Sequence, residues 1–218
     1  MKKRLVISLV LFLSLTTIIS KQNLLISKFD IKEIRIENNF LVKEKEIQIL
    51  LNPIYNESLL FLKNKEIEKA VMQNGFIDSF NVKKKYPSTL IIKIFEKKPI
   101  GVLLNKKKKY YLSEKIELIE FMNLPDYQNL PYIFGNKDEF KLLYLDLIRI
   151  DFPINIIKEY SFFETGRWDL KTLDNSIIKL PSKYYLKSLK NYLSIRKKES
   201  FKKYKIFDYR VNNQLIMK

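Results

Sequence analysis

The side chains that most often do chemistry are missing from this sequence. Its 218 residues include no Cys and no His. That excludes thiolate nucleophiles, disulfides, Cys/His zinc sites and imidazole general acid–base catalysis. Carboxylates remain, with 24 Asp and Glu in the chain. Asp169 and Asp208 fall within strand-like patterns and read as ion-paired surface acids rather than a catalytic pair. The glycines, Gly75, Gly101, Gly135 and Gly166, are scattered at turns, so no glycine-rich phosphate loop is formed. No nucleophile elbow or Walker motif is present. The expectation is a protein with no catalytic residues, no metal and no cofactor.

Charge suggests partners next. A net charge of +17 is compatible with nucleic acid or an anionic membrane. Only six of the 41 basic residues are Arg, the side chain suited to bidentate recognition of phosphate and guanine. Nucleic acid is therefore not expected. The single Ala, Ala70, and the abundance of Ile, Asn, Tyr and Phe fit a broad compositional bias. The Lys106–Lys109 run reads as a solvated loop. With hydrophobic residues at 46%, the chain can fill real cores.

At the N-terminus, Lys2, Lys3 and Arg4 precede an uncharged run from Leu5 to Ser20. It lies between the length of a signal-peptide core and that of a membrane span. Ile18 occupies a position where a cleavage site needs a small residue, which favours an uncleaved anchor. Sixteen helical residues reach about 24 Å against roughly 30 Å of hydrocarbon, so Lys3, Arg4 and Lys21 must snorkel or the bilayer thin. The basic stub stays inside by the positive-inside rule, and everything after Ser20 lies outside the cytoplasm.

Residues 29–97 carry strand and helix patterns in the order β-α-α-β-β. Phe29 to Ile36 has period-two spacing, and Asn38-Asn39 ends it. Val42 to Leu51 forms a helix with Ile47, Leu50 and Leu51 on one face, closed by Pro53. Asn64 is positioned as the N-cap of a second helix with Ile67, Ala70 and Val71 as its stripe. Ile77–Val82 and Leu90–Phe95 are strands around a turn region, Lys83 to Thr89. Two helices on one face of a three-stranded sheet bury both stripes.

These residues resemble a known family. The run Ile77-x-x-Phe80-x-Val82-x-Lys84-x-Tyr86-Pro87-x-x-Leu90-x-Ile92-x-Ile94-x-Glu96-Lys97-x-Pro99-Ile100 is similar, without a gap, to the pattern V-x-x-A-x-V-x-R-x-x-P-x-T/E-L-x-I-x-V-x-E-R-x-P-I/V-A. That pattern belongs to the polypeptide-transport-associated (POTRA) domain of the FtsQ/DivIB family of cell-division proteins. Tyr86, Pro87, Leu90, Glu96 and Pro99 mark it here. Phe80, Lys84 and Gly101 depart from it.

Beyond Pro99 the pattern is mostly β. Tyr110–Ser113 and Ile116–Ile119 flank a turn, Ser113-Glu114-Lys115-Ile116, that lacks the family's Gly. Leu130-Pro131-Tyr132-Ile133-Phe134-Gly135 resembles the family's L-P-x-x-x-G. Asn136 and Glu139 then cap a helix whose apolar face is Phe140, Leu143, Leu147 and Ile148. Trp168, expected in the core, begins a hairpin that turns at Asp174-Asn175. Ser182 is placed to cap a helix striped by Tyr185, Leu186, Leu189, Tyr192 and Leu193. The stretch Tyr204–Arg210 resembles the family's strand ending in D-x-R, and Gln214–Met217 reads as a final strand after an Asn212-Asn213 turn.

The fold class is therefore α+β, in five parts. Residues 1–4 are a cytoplasmic stub, 5–20 a transmembrane helix and 21–28 a linker. Residues 29–97 form a POTRA-like domain and 98–218 a mostly antiparallel β-domain with two helices. A final strand tends to lie at a sheet edge, where unpaired backbone groups invite strand addition by a partner. Leu215, Ile216 and Met217 supply that edge, with Tyr209 and Arg210 close by; the alternative is that residues 214–217 only complete the core. The resemblance implies the same region, through Asp208, Arg210, Val211 and Asn213. It also implies a non-enzymatic scaffold of the divisome, anchored in the cytoplasmic membrane at the septum through residues 5–20. That scaffold binds single-pass partners of the FtsB and FtsL type and other division proteins through the POTRA-like domain. The alternative is a POTRA-containing factor for secretion or outer-membrane assembly. That reading needs a long C-terminal barrel, for which the roughly 120 residues after Pro99, broken by two helices, leave no room.

Overall fold

A computed structural model describes residues 2–16, 27–106, 108–211 and 214–218. An apolar helix, α1 (Lys2–Thr16), opens the chain. Among the described residues no helix is long and apolar enough to cross a membrane. The rest of the expected span, residues 17–20, and most of the expected linker lie outside the described residues. Two compact units divide the chain, Met1–Lys97 and Lys98–Lys218.

The first unit continues with β1 (Glu33–Glu37), α2 (Glu44–Leu50), α3 (Asn64–Val71), β2 (Ile77–Lys85) and β3 (Thr89–Glu96). The sheet order is β1-β3-β2, with β1 parallel and β2 antiparallel to the central β3. Alternation along β3 puts Leu90, Ile92 and Ile94 inside, and Ile47 of α2 and Ile67 and Val71 of α3 are buried as well.

Several boundaries differ from the pattern reading. β1 starts at Glu33, because Ser27–Phe29 form a 3-10 turn and Asp30 makes only an isolated bridge to Ser58. β2 and β3 run on to pair Lys83 with Ile91 and Lys85 with Thr89, which leaves Tyr86, Pro87 and Ser88 as the turn. The Tyr86–Pro87 peptide is cis. Asn64 is the first helical residue rather than the cap. Lys63 precedes it and donates its backbone N–H to the Glu66 carboxylate at 3.1 Å.

The second unit is one nine-stranded sheet with two helices. Its strands are β4 (Pro99–Asn105), β5 (Lys108–Ser113), β6 (Leu118–Glu120), β7 (Tyr132–Phe134), β8 (Ile157–Phe163), β9 (Arg167–Thr172), β10 (Ile177–Lys179), β11 (Ile206–Asp208) and β12 (Ile216–Met217). They lie in the order β12-β11-β10-β9-β8-β7-β4-β5-β6. Three neighbour pairs, β4/β7, β7/β8 and β10/β11, are parallel. Parallel neighbours need a crossover. The helices supply two of these: α4 (Lys137–Arg149) joins β7 to β8, and α5 (Tyr185–Ile195) joins β10 to β11.

Both helices bury apolar faces in one core. Phe140, Leu143 and Leu147 of α4 and Leu189 and Tyr192 of α5 meet Leu103, Ile133, Leu170, Ile178 and Phe207 of the sheet. Trp168 is 4% exposed there, against Phe162 at 4.9 Å and Phe140 at 6.2 Å between ring centroids. Ile148, expected on the α4 face, points to solvent instead, since it adjoins Leu147 on a turn of 3.6 residues. Asn136 does cap α4, its side-chain oxygen accepting the Glu139 N–H at 2.8 Å. Ser182 does not cap α5. The helix begins only after Tyr184, which adopts the left-handed conformation at φ 60°.

Two positions explain departures from the family pattern. Ile116 sits where the family carries Gly and takes φ 59°, with the Ser113 hydroxyl oxygen accepting the N–H groups of Lys115 and Glu117. At Gly101 a Cβ would lie 2.6 Å from Ile133 Cδ1 and 3.2 Å from the Pro131 carbonyl oxygen, so the glycine admits the β7 side chain.

Candidate partner-docking edge

β12 is the outermost strand on its side of the nine-stranded sheet. Ile206 and Lys218 exchange hydrogen bonds, the Lys218 N–H to Ile206 oxygen at 3.1 Å and the Ile206 N–H to Lys218 oxygen at 2.9 Å. Antiparallel ladders alternate bonded and non-bonded pairs. Met217, opposite Phe207, is therefore non-bonded, and Ile216 bonds to Asp208. The backbone N–H and C=O of Met217 face away from β11, towards the open side. The same alternation sends its side chain, with that of Leu215, onto the core, and leaves Ile216 41% exposed.

The residues leading to this edge divide into a buried and an exposed set. Tyr209, grouped with the docking residues on sequence, lies in the core. Its N–H donates to the Lys179 oxygen at 2.9 Å, and its hydroxyl to Asn191 Oδ1 of α5 at 2.9 Å. Burial pushes its hydroxyl well above the usual phenol range. Asp208 and Arg210 form a closed fork, Nε to Oδ1 at 2.8 Å and a terminal guanidinium nitrogen to Oδ2 at 2.6 Å. The Arg210 hydrogen bond holds the Asp208 carboxyl below the usual carboxylate range, against the opposing effect of burial. Val211 is exposed. Asn213 lies outside the described residues.

Beside the edge runs a groove of about 840 Å³, lined by the start of α5 and by Tyr209, Arg210, Val211, Gln214 and Leu215. Tyr184 stands at its rim, 89% exposed. A smaller pocket of about 200 Å³ adjoins it, lined by Thr165, Arg167, Pro181, Ser182 and Arg210. Arg167 stacks on the Phe163 ring, 4.5 Å from its centroid. Its Nε lies 3.8 Å from Asp169 Oδ1, and neither atom has a hydrogen-bond partner. Burial raises the Asp169 carboxyl, opposed by Arg167, Lys179 and Arg210. Among the described residues there is no cluster of acids able to hold a metal ion.

The POTRA-motif residues serve the fold of the first unit in ways their spacing does not reveal. Leu90 is in the core, and Tyr86 meets the Phe29 ring edge-on at 6.1 Å. The Glu96 carboxylate accepts three consecutive backbone N–H groups, from Phe40 at 3.1 Å and from Leu41 and Val42 at 2.8 Å each. Lys84 donates its ammonium to the carbonyl oxygens of Leu59 and Leu62, both at 2.7 Å. Pro99, by contrast, is buried in β4 of the second unit.

A three-stranded β-α-α-β-β unit followed by a helix-flanked mixed sheet with a free terminal edge defines a POTRA protein with an additional β-domain. Residues 29–97 match the family described as POTRA domain, FtsQ-type. The proteins named cell division protein FtsQ of Rickettsia conorii and Rickettsia felis are each 27% identical over 190 residues, covering 85% of this chain and 71% of theirs. The one of Agrobacterium fabrum is 20% identical over 168 residues, 76% of this chain and 53% of its own. Residues 29–97 thus carry a POTRA domain of the FtsQ type, and over 85% of its length the chain is similar to cell-division proteins named FtsQ. The major extracytoplasmic domain of DivIB from Geobacillus stearothermophilus superposes with a TM-score of 0.34 at 14% identity, over 46% of this chain and 91% of that one. At that score the likeness bears on neither fold nor function.

Proposed function

We propose that this protein is a non-enzymatic scaffold of cell division, held in the cytoplasmic membrane at the septum through residues 5–20. Residues 21–218 then lie outside the cytoplasm. Short single-pass coiled-coil proteins of the FtsB and FtsL type dock on the second unit, other division proteins meet the POTRA unit, and the assembly supports septal wall synthesis. One observation carries the reading: β12 lies at the sheet edge with the Met217 backbone turned outwards. A partner segment adds there as a tenth strand, drawing affinity from main-chain hydrogen bonds. Side chains flanking the added strand settle beside Val211 and Ile216 and in the groove at Tyr184, while the Asp208–Arg210 fork holds the approach to β12 in shape. The relatives' names, cell division protein FtsQ, support the cellular role.

Proline at the edge tests the docking mode, because it removes one donor and is tolerated on edge strands. Met217→Pro removes an outward N–H. Binding of a coexpressed FtsB-type protein should fall sharply while the melting temperature holds. Ile216→Pro removes the N–H bonded to Asp208 and should lower both. Wild-type binding by Met217→Pro would place the partner elsewhere.

A further inference from the structure

At one end of the first unit, the segment leading in from α1 lies along the loop before α3. The Ile31 N–H donates to Glu57 oxygen at 2.9 Å, and the Leu59 N–H to Phe29 oxygen at 2.8 Å. Lys84 fixes the same loop through the carbonyls of Leu59 and Leu62, whose side chains are buried. The two residues between them are forced outwards: Leu60 is 44% exposed and Phe61 69%. Tyr86, 53% exposed, stands on the same end against Phe29. Lys28, Lys32, Lys63 and Lys85, each within four residues of Phe29, Phe61 or Tyr86 in the chain, are exposed. The acids nearby are Asp30, Glu57, Glu33 and Glu66. Glu33 is engaged by Arg35 and Thr89, and Glu66 by the Lys63 N–H.

We propose that this Leu60–Phe61–Tyr86 tip docks the POTRA unit on the headgroup layer of the bilayer that α1 enters, a reading that rests on α1 being part of a membrane anchor. Aromatic rings and leucine ringed by lysine are the composition that settles at the membrane interface, rings at headgroup depth and ammonium groups on anionic lipid. Chain connectivity selects the lipid surface over a protein. Ten residues, 17–26, separate Thr16 from Ser27. Fully extended they span at most about 36 Å. The loop that carries the tip is bonded through the Leu59 N–H to the Phe29 backbone, so it is the end of the unit held within that reach of α1. Lys84 acts as a positioning residue, since its ammonium holds the loop that presents Leu60 and Phe61.

The absence of Cys makes single-cysteine labelling of the whole chain direct. The full-length protein is placed in nanodiscs of phosphatidylglycerol and phosphatidylcholine carrying a headgroup-level nitroxide lipid. An environment-sensitive fluorophore is attached in turn at Leu60→Cys, at Asn81→Cys on the far face of the sheet, and at Leu11→Cys within α1. A second set of nanodiscs carries the nitroxide deep in the acyl chains. The proposal expects strong headgroup-level quenching at residue 60, little at residue 81 and deep quenching at residue 11. Phe61→Ser in the Leu60→Cys background should lower the ratio of docked to free tip on the order of tenfold, as fits withdrawal of one large apolar side chain. Quenching at residue 60 no greater than at residue 81, with residue 11 embedded, overturns the tip alone. Failure of deep quenching at residue 11 overturns the anchor reading and the tip with it. Quenching at residue 60 unmoved by Phe61→Ser also overturns the proposal.

Discussion

Replacing Glu96 by Ala should open the loop after β1 and destabilise the whole first unit. The carboxylate takes three backbone N–H groups that no strand or helix satisfies, those of Phe40, Leu41 and Val42. A net hydrogen bond to a charged acceptor contributes about 1.5–3 kcal/mol when well shielded. Glu96 is half-buried and water can reach part of the loop, so about 1 kcal/mol per bond is the better figure, or roughly 3 kcal/mol in all. For a unit of this size that is a fall in melting temperature of about 12–24 °C. Glu96→Gln keeps one acceptor oxygen but turns an amide NH2 towards the Leu41 N–H, so it should fall between wild type and Ala. Calorimetry of the full chain in detergent reads the first transition, and hydrogen exchange reads the amides of residues 40–42. A shift below about 3 °C with unchanged exchange would refute the idea that the carboxylate holds this loop.

Three further outcomes follow from the geometry. Lys84→Met keeps the aliphatic stem but leaves the Leu59 and Leu62 carbonyls without their donor; denaturant titration should show a loss of about 1–3 kcal/mol. Gly101→Ala should lower the melting temperature of the second unit, and Ile133→Val, which deletes the clashing Cδ1, should recover part of the loss in the double variant. Asp208→Asn should be pH-dependent in its effect. The folded-state pKa of Asp208 is depressed, so its contribution is present above the unfolded carboxylate value of about 3.9 and disappears as pH falls through the folded value. The gap in melting temperature between wild type and variant should hold steady at neutral pH and close in acid.

Local chemistry was legible in the sequence wherever a signal acts over a few residues. The alternation of Leu90, Ile92 and Ile94 marks β3, and the three-residue spacing of Asn136 and Glu139 marks the start of α4. Interactions with distant partners were not. Lys84 stands out on spacing only as a substitute for Arg, because its acceptors lie 22 and 25 residues away. Glu96 is a motif letter until the loop 54–56 residues earlier is seen folded around it. Ser182 has the chemistry of a cap, yet the left-handed turn at Tyr184 moves the helix start beyond its reach. Around the docking edge, the order of the last elements could be read, but the depth of Tyr209 depends on pairing with Lys179 and on Asn191 of α5. The parallel pairings leave no trace in the sequence, because a short strand carries no mark of its neighbour's direction.

The place of β3 at the centre of its sheet also governs when the first unit can come into being. Both neighbours pair only with β3, which is the last of the three strands in the chain. A growing polypeptide therefore holds β1 and β2 without a template until residue 96 has emerged, and Glu96, the final residue of β3, then closes the loop behind β1. Loop closure over some 55 residues must precede any reward from pairing β1, whereas β2 and β3 join as a local hairpin, so β1 is the costly addition. Until that moment β1 has no strand to pair with, so the three-stranded sheet is completed only by the last of its strands to be made.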